Sequence, residues 1–409
     1  MSLPVLLLAT MNTKGAEALY LDRAIRAGGA QPLSMDISMR YGETPLKAEI
    51  MADEVARAGG SSLKELSASR DMAANMETMV AGASLIASRL TAEGKIGGII
   101  GIGGYTGTFV IAPVMQVLPF GLPKVMVSSA AAMRGLSGLF LKTSDIMFFH
   151  SVVEIAGLSA PVRNVLDRAA CAFCAMLRAP VIDFKTAVKR AVAMTMMSPC
   201  EKCASLVRSA LEAEGCEVVG FHANGVGDRA MEEMIGAGHF RGVIDLAPGG
   251  VGENLYGFAR DAGPDRLEAA GKSGIPQIIS TCSVNHITPL RSRLSFAGRP
   301  RYELDRLRTW LRATPRELRR IAEAFAYKLN KSTGPVKVVI PLRGWSSVDR
   351  PGSPTYDPEG DGAFSRTLRK KLNREIEVVE VDANMEDVEF ARAITDAASG
   401  LLRRADGIR

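Results

Sequence analysis

At 409 residues the chain is longer than one hydrophobic core usually organises, so two domains are expected. Hydrophobic residues make up 47%, ample for large α/β cores, yet no run of about 18 apolar residues lacks a charge or a turn signal, and no membrane span is predicted. The net charge of +6 permits anionic ligands but is modest for this length.

The opening apolar run lacks a basic flank and an A-x-A site, so residues 4–9 read as a buried strand, not a signal peptide. That strand runs into Thr10-Met11-Asn12-Thr13-Lys14-Gly15 and then a helical segment. Hydroxyls, an amide, a lysine and a glycine at a strand end make a candidate phosphate cradle, with Lys14 as the point charge. A second strand at 31–35 is followed by an irregular stretch to Pro45, then helices at 48–57 and 71–92.

Residues 95–129 carry the strongest signal: an apolar run, the turn Gly103-Gly104-Tyr105-Thr106-Gly107-Thr108, a helical run to 118, and a second apolar run at 124–128. This is a βαβ unit, which implies a parallel sheet buried on both faces. Glycines let a backbone approach a ligand, and the N–H groups at the helix start would face whatever lies above them. The pattern is neither G-x-G-x-x-G nor GxxxxGK[ST], so it fits an anion site or an ordinary tight βα turn. The hydroxyls of Thr106 and Thr108 are equally suited to bind a ligand or to cap the helix. Loops at the carboxyl ends of strands share one crevice, so this loop and the Lys14 loop are expected to meet.

Beyond a small-residue stretch come a strand ending at His150, read as a packed residue, and a helix at 161–178 that stops at Ala179-Pro180. The domain boundary is placed there, giving 1–180 and 181–409. From Val188 the alternation resumes, with strands ending near Asn224-Gly225, Asp245, Ser280, Arg343 and Asp382. Those ends should gather around one mouth. Residues 264–273 read as a capped helix and 281–295 as a loop. The arginine-rich segment 291–320 has interleaved acids and few aromatics, so it reads as a solvated basic face in preference to an RNA-binding surface.

Six cysteines include two CxxC pairs, Cys171/Cys174 and Cys200/Cys203. The first lies in a core-like helix, which argues against a zinc site. The second follows a strand at a helix start, which makes Cys200 a candidate reactive thiol. A reduced, cytoplasmic setting fits these cysteines.

The blocks ATMNTKGAE, GIGGYTGT, TSDIMFFHSVVEIAGL, FHANGVGDRAME, AGPDRLEAAGKSGIPQIIS and PLRGWSSVDRPGSPTYDPEGDGAF together resemble the Tm-one-like ATP-binding family over essentially the whole chain. The resemblance implies two Rossmann-like α/β subdomains, ATP binding in the first and a homodimer or larger homo-oligomer. Carried onto this chain, it offers Thr10, Asn12, Thr13, Lys14, Gly103, Gly104, Thr106, Gly107 and Thr108 for the nucleotide. In the second domain it points to His222, Asn224, Gly225, Gly227, Arg229, Arg343 and Gly344.

The chain also departs from the family pattern. Asn12 stands for an aspartate, which puts magnesium in doubt. Tyr105-Thr106 stands for serine-glycine, Pro248-Gly249-Gly250 for Thr-Thr-Glu, Asn285 for an aspartate, and Leu304-Asp305-Arg306 for His-Asn-Pro. The likeliest acid/base groups of the second mouth are thereby lost. Three readings follow: a nucleotide-binding protein, an enzyme acting on a carboxylate or phosphate in an interdomain cleft through Glu253, Asp245, Asn285 or His286 with Arg343 as clamp, or a non-catalytic partner subunit.

Overall fold

The computed structural model describes residues 3–180, 191–289, 296, 298–305 and 308–405. The chain divides into two compact units, residues 1–181 and 182–409. In the first, the order is β1 (Val5–Ala9), α1 (Met11–Ala27), β2 (Pro32–Asp36), α2 (Ala52–Ala58), α3 (Leu63–Ala68), α4 (Met72–Ala92), β3 (Ile99–Gly103), α5 (Tyr105–Gln116), β4 (Lys124–Ser128), α6 (Ser137–Leu141), β5 (Met147–His150) and α7 (Ala160–Arg178). The sheet runs β2-β1-β3-β4-β5, and all its pairings are parallel.

Every residue of β1, β3 and β4 is buried, as continuously apolar strands covered on both faces must be. Val5, Leu7 and Ala9 pack against α1 and α7, whereas Leu6 and Leu8 face the side covered by α2, α4 and α5. From β1 the chain therefore crosses one face to β2, and from β3 it crosses the other face to β4. The strand order reverses between β1 and β3, and a crevice opens at their carboxyl ends.

The second unit contains β6 (Ala191–Met196), α8 (Glu201–Ala213), β7 (Glu217–His222), α9 (Val226–Gly236), β8 (Gly242–Asp245), α10 (Gly250–Tyr256), α11 (Ala269–Lys272) and β9 (Gln277–Ile279). After these come β10 (His286–Ile287), β11 (Arg301–Glu303), β12 (Thr309–Arg312), α12 (Pro315–Leu329), β13 (Val336–Pro341), α13 (Pro358–Lys371), β14 (Glu377–Val381) and α14 (Val388–Ala405). Its main sheet is parallel, in the order β14-β13-β9-β8-β6-β7, with α8 and α14 on one face and α9, α12 and α13 on the other. Both units are thus Rossmann-like α/β layers.

Several elements differ from the sequence reading. The helix expected from residue 48 starts at Ala52, because Ile50 instead bridges to Met35 at the sheet edge. The helix expected over 264–273 shrinks to α11. Leu267 takes a φ of 70°, and the Glu232 carboxylate accepts from the N–H groups of Leu267 and Ala269, at 2.8 Å each. The supposed loop and basic face beyond residue 281 contain a small antiparallel sheet, β10-β12-β11. Its strands are two to four residues long, too short for a periodicity to register. Val188, Arg306, and the start of the arginine-rich segment at 291–295 lie outside the described residues. No described helix is long and apolar enough to cross a membrane.

Candidate anion-binding site

The loops after β1 and β3 line one solvent-open hollow of about 850 Å³, walled by Thr10, Asn12, Thr13, Lys14, Gly104, Tyr105, Thr106 and Gly107 together with Met39, Arg40 and Met72. Gly103 brings α5 close to the strand end. A Cβ there would lie 2.9 Å from Cα and carbonyl C of Gly107. Gly104 is the residue before the helix, and the first amide with a backbone partner is that of Thr108, bonded to the Gly104 carbonyl at 2.9 Å. The N–H groups of Tyr105, Thr106 and Gly107 have no hydrogen-bond partner among the described residues. They carry the partial positive charge of the helix start.

The first loop is built differently. Its helix-start amides are taken: Met11 N donates to Asp36 Oδ1 (3.1 Å), Asn12 N to Ser38 Oγ (3.2 Å) and Thr13 N to the Thr10 carbonyl (3.0 Å). Asn12 Nδ2 donates to the Arg40 carbonyl at 3.0 Å and so ties the segment after β2 to this loop. The expected role of Lys14 as a phosphate point charge needs correction, because its ammonium donates to the Ile155 carbonyl and lies 3.8 Å from Glu154 Oε1. Thr108 is corrected too. Its hydroxyl is buried between the Gly104 carbonyl (2.7 Å) and Ser128 Oγ (2.6 Å), so it caps and packs the helix. Thr10 and Thr13 hydroxyls pair with each other at 2.9 Å at the wall. Sequence reading missed Met39, Arg40 and Met72, which reach the hollow only through the irregular segment after β2 and the start of α4.

In the second unit, most of the proposed ligand residues build turns or ion pairs. Gly225, at φ 92°, starts α9, with its N–H donating to Asp228 Oδ2 at 2.7 Å. Asn224 Oδ1 accepts from Gly227 N (2.9 Å), and Arg229 donates to the Asp261 carbonyl (2.7 Å). His222 is an exposed residue at the end of β7. Gly344, at φ 107°, packs against the Asp349 carbonyl. Arg343, expected as a clamp, forms an exposed two-pronged pair with Asp382, at 2.7 and 2.5 Å.

The candidate acid/base groups are also engaged. Glu253 is fully buried against Arg260 (2.8 Å), and Asp245 is held by Arg266 and Thr195. Asn285 bridges Asp349 (2.7 Å) and Asp361 (3.0 Å). Burial, together with the charges of Arg312 and Arg260, pushes His286 down to about 3, so it is neutral at ordinary pH. Cys200, expected as a reactive thiol, has no exposed surface. No group of three or more His, Cys, Asp or Glu among the described residues converges as a metal would require.

Comparison with known proteins covers both units. Residues 3–181 match the N-terminal domain, and residues 189–402 the C-terminal domain, of the uncharacterised protein family UPF0261. A UPF0261 protein of Clostridium tetani is 33% identical over 408 residues, covering 99% of this chain and all of the relative. One from Rhizobium meliloti is 31% identical over 398 residues, covering 96% and 98%. The ToMV resistance protein Tm-1(GCR237) of Solanum lycopersicum is 32% identical over 314 residues, 75% of this chain and 41% of the tomato protein. With both domains matched in order and full-length relatives above 30% identity, the chain belongs to the UPF0261 family, to which the tomato resistance protein is also similar.

Proposed function

We propose that the first unit binds a nucleotide, ATP being the first candidate, with its phosphates over the start of α5. The observation that carries this reading is the set of unpartnered N–H groups of Tyr105, Thr106 and Gly107 at the edge of an 850 Å³ hollow lined by both candidate loops. A helix start with open amides suits phosphate oxygens, and Arg40 adds a cation at the rim. Met39, Met72 and the exposed ring of Tyr105 are suited to the flat face of a base.

Glu154 works against this binding. Its Oε1 lies 3.5 Å from where a Gly104 Cβ would be, and its Oε2 lies 3.4 Å from Ser129 Oγ. A carboxylate beside the helix start repels an incoming phosphate, and at 67% exposure it is free to swing aside. Binding without catalysis is the favoured role, since the candidate acids and bases of the second unit are locked in ion pairs. Self-association and a cytoplasmic setting are part of the same proposal.

Isothermal titration of the full chain with ATP, with and without magnesium, tests the reading. A saturable heat is expected, lost in Thr106→Glu, whose carboxylate would take the helix-start amides for itself. Glu154→Gln should tighten binding several-fold. Absence of saturable heat at about millimolar ATP, in both the parent and Glu154→Gln, would sink the proposal.

A further inference from the structure

We propose that the free edge of β5 is the surface through which two copies of this chain associate, strand against antiparallel strand. This rests on the self-association proposed above and names the surface that carries it. The first sheet ends at β5, whose one strand neighbour is β4. Ser151 N donates to the Ser128 carbonyl at 3.1 Å, and counting back in twos turns Phe149 and Met147 toward β4. The N–H and C=O groups of Phe148 and His150 therefore point outward, and they have no hydrogen-bond partner among the described residues.

The other sheet edges are protected, as edges of soluble proteins usually are. At β2 the chain covers its own edge: Ile50 N donates to the Ser34 carbonyl (3.0 Å), and Asp36 N donates to the Ile50 carbonyl (2.9 Å). In the second unit, β14 carries exposed Glu377 and Glu380, and β7 begins with exposed Glu217. The β5 sequence Met147-Phe148-Phe149-His150 has no lysine, acid or proline. The nearest acid before it, Asp145, is turned away to the buried Lys124 ammonium at 2.5 Å.

The surface beside this edge is apolar. Val117, Phe120, Leu139, Leu141 and Met147 are all exposed. Two bonds hold them together: Gln116 Nε2 donates to the Leu139 carbonyl (2.8 Å), and Gly121 N donates to Asp145 Oδ2 (2.8 Å). Just past the strand, Val152 is 79% exposed and held at φ 65°, an outlying conformation for a β-branched residue. Strain and exposure at one valine mark a segment shaped for a contact.

A second copy fits this edge by its own geometry. Under a two-fold axis, placing Phe148 opposite the second copy's His150 joins every outward group of both strands, so one short strand supplies both halves of the interface. Lys142 precedes β5 and Glu154 follows it, so antiparallel pairing sets the basic end of each strand beside the acidic end of the other.

Sedimentation velocity of the full chain from about 1 to 100 μM tests the assignment. The parent should sediment as a dimer. His150→Pro removes only an outward N–H, which an edge strand tolerates, and Met147→Lys places a charge on the edge. Both should sediment as monomers with unchanged far-ultraviolet circular dichroism. Leu85→Lys, at an equally exposed apolar position on α4, should remain dimeric. In the parent, hydrogen exchange at the Phe148 and His150 amides should slow as concentration rises. A parent that stays monomeric throughout would overturn self-association and the surface together. A parent dimer that persists in both Met147→Lys and His150→Pro, or one equally lost in Leu85→Lys, would overturn the β5 surface alone.

Discussion

Gly103 and Gly104 are adjacent and chemically identical, yet alanine should act on them in opposite ways. At Gly103 the new methyl would meet Gly107 Cα and carbonyl C at 2.9 Å and Thr108 N at 3.1 Å, all backbone atoms that cannot rotate away. The start of α5 must shift, and overpacking of this kind costs about 1–3 kcal/mol. For a domain of this size, each kcal/mol lowers the melting temperature by about 2–4 °C, so Gly103→Ala should melt about 2–12 °C lower. At Gly104 the nearest atoms are Glu154 Oε1 at 3.5 Å and Ser129 Oγ at 3.7 Å, ordinary contacts, and φ is −79°. Gly104→Ala should therefore fold within about 0.5 kcal/mol of the parent. Its methyl, however, stands where a phosphate would approach the helix start, so ATP affinity should fall. Calorimetric melting of the full chain and ATP titration separate the two effects. A Gly103→Ala protein that melts like the parent, or a Gly104→Ala protein that binds ATP like the parent, would refute the reasoning.

Arg266 is 1% exposed and pairs with Asp228 (2.9 Å), Glu232 (3.0 Å) and Asp245 (2.5 Å), so Arg266→Met should destabilise the second unit by about 3–5 kcal/mol in denaturant melts, with partial recovery on adding Asp245→Asn. His286 should make stability fall with acid. The unfolded imidazole takes a proton near pH 6.5 and the folded one only near 3, so across that window the unfolded state holds one more proton. Stability should then drop by about 1.4 kcal/mol per pH unit on acidification, a contribution that His286→Asn would remove from pH-dependent melts. A thiol reagent on the native protein should label exposed Cys171 first and leave Cys174, Cys200, Cys203 and Cys282 until the chain opens; rapid labelling of Cys200 would contradict its burial.

The parallel architecture was legible because it rests on local pattern. Runs such as residues 5–9 and 125–127 are apolar throughout, which only a strand covered on both faces requires. The small β10-β12-β11 sheet was not legible, since Arg301–Glu303 alternates exposed and half-buried over only three residues, and its pairing with Thr309–Arg312 is decided by tertiary contacts. The Gly103 turn could be read as a close approach, but whether its threonines faced ligand or packing could not. Thr106 lines the hollow, while Thr108 is drawn inward by Ser128, twenty residues away.

The sequence by itself determined the strand-helix alternation, the two α/β units, and the two loops that share the first hollow, because hydrophobic period and glycine placement act over a few neighbouring residues. Only the tertiary structure decided which charges remain available. Lys14 turns to Ile155 and Glu154, Glu253 to Arg260, Asp245 to Arg266, and Arg343 to Asp382. A charged side chain has the same letter whether it meets a ligand or an ion partner, and that choice depends on distances of a few ångströms between segments far apart in the chain.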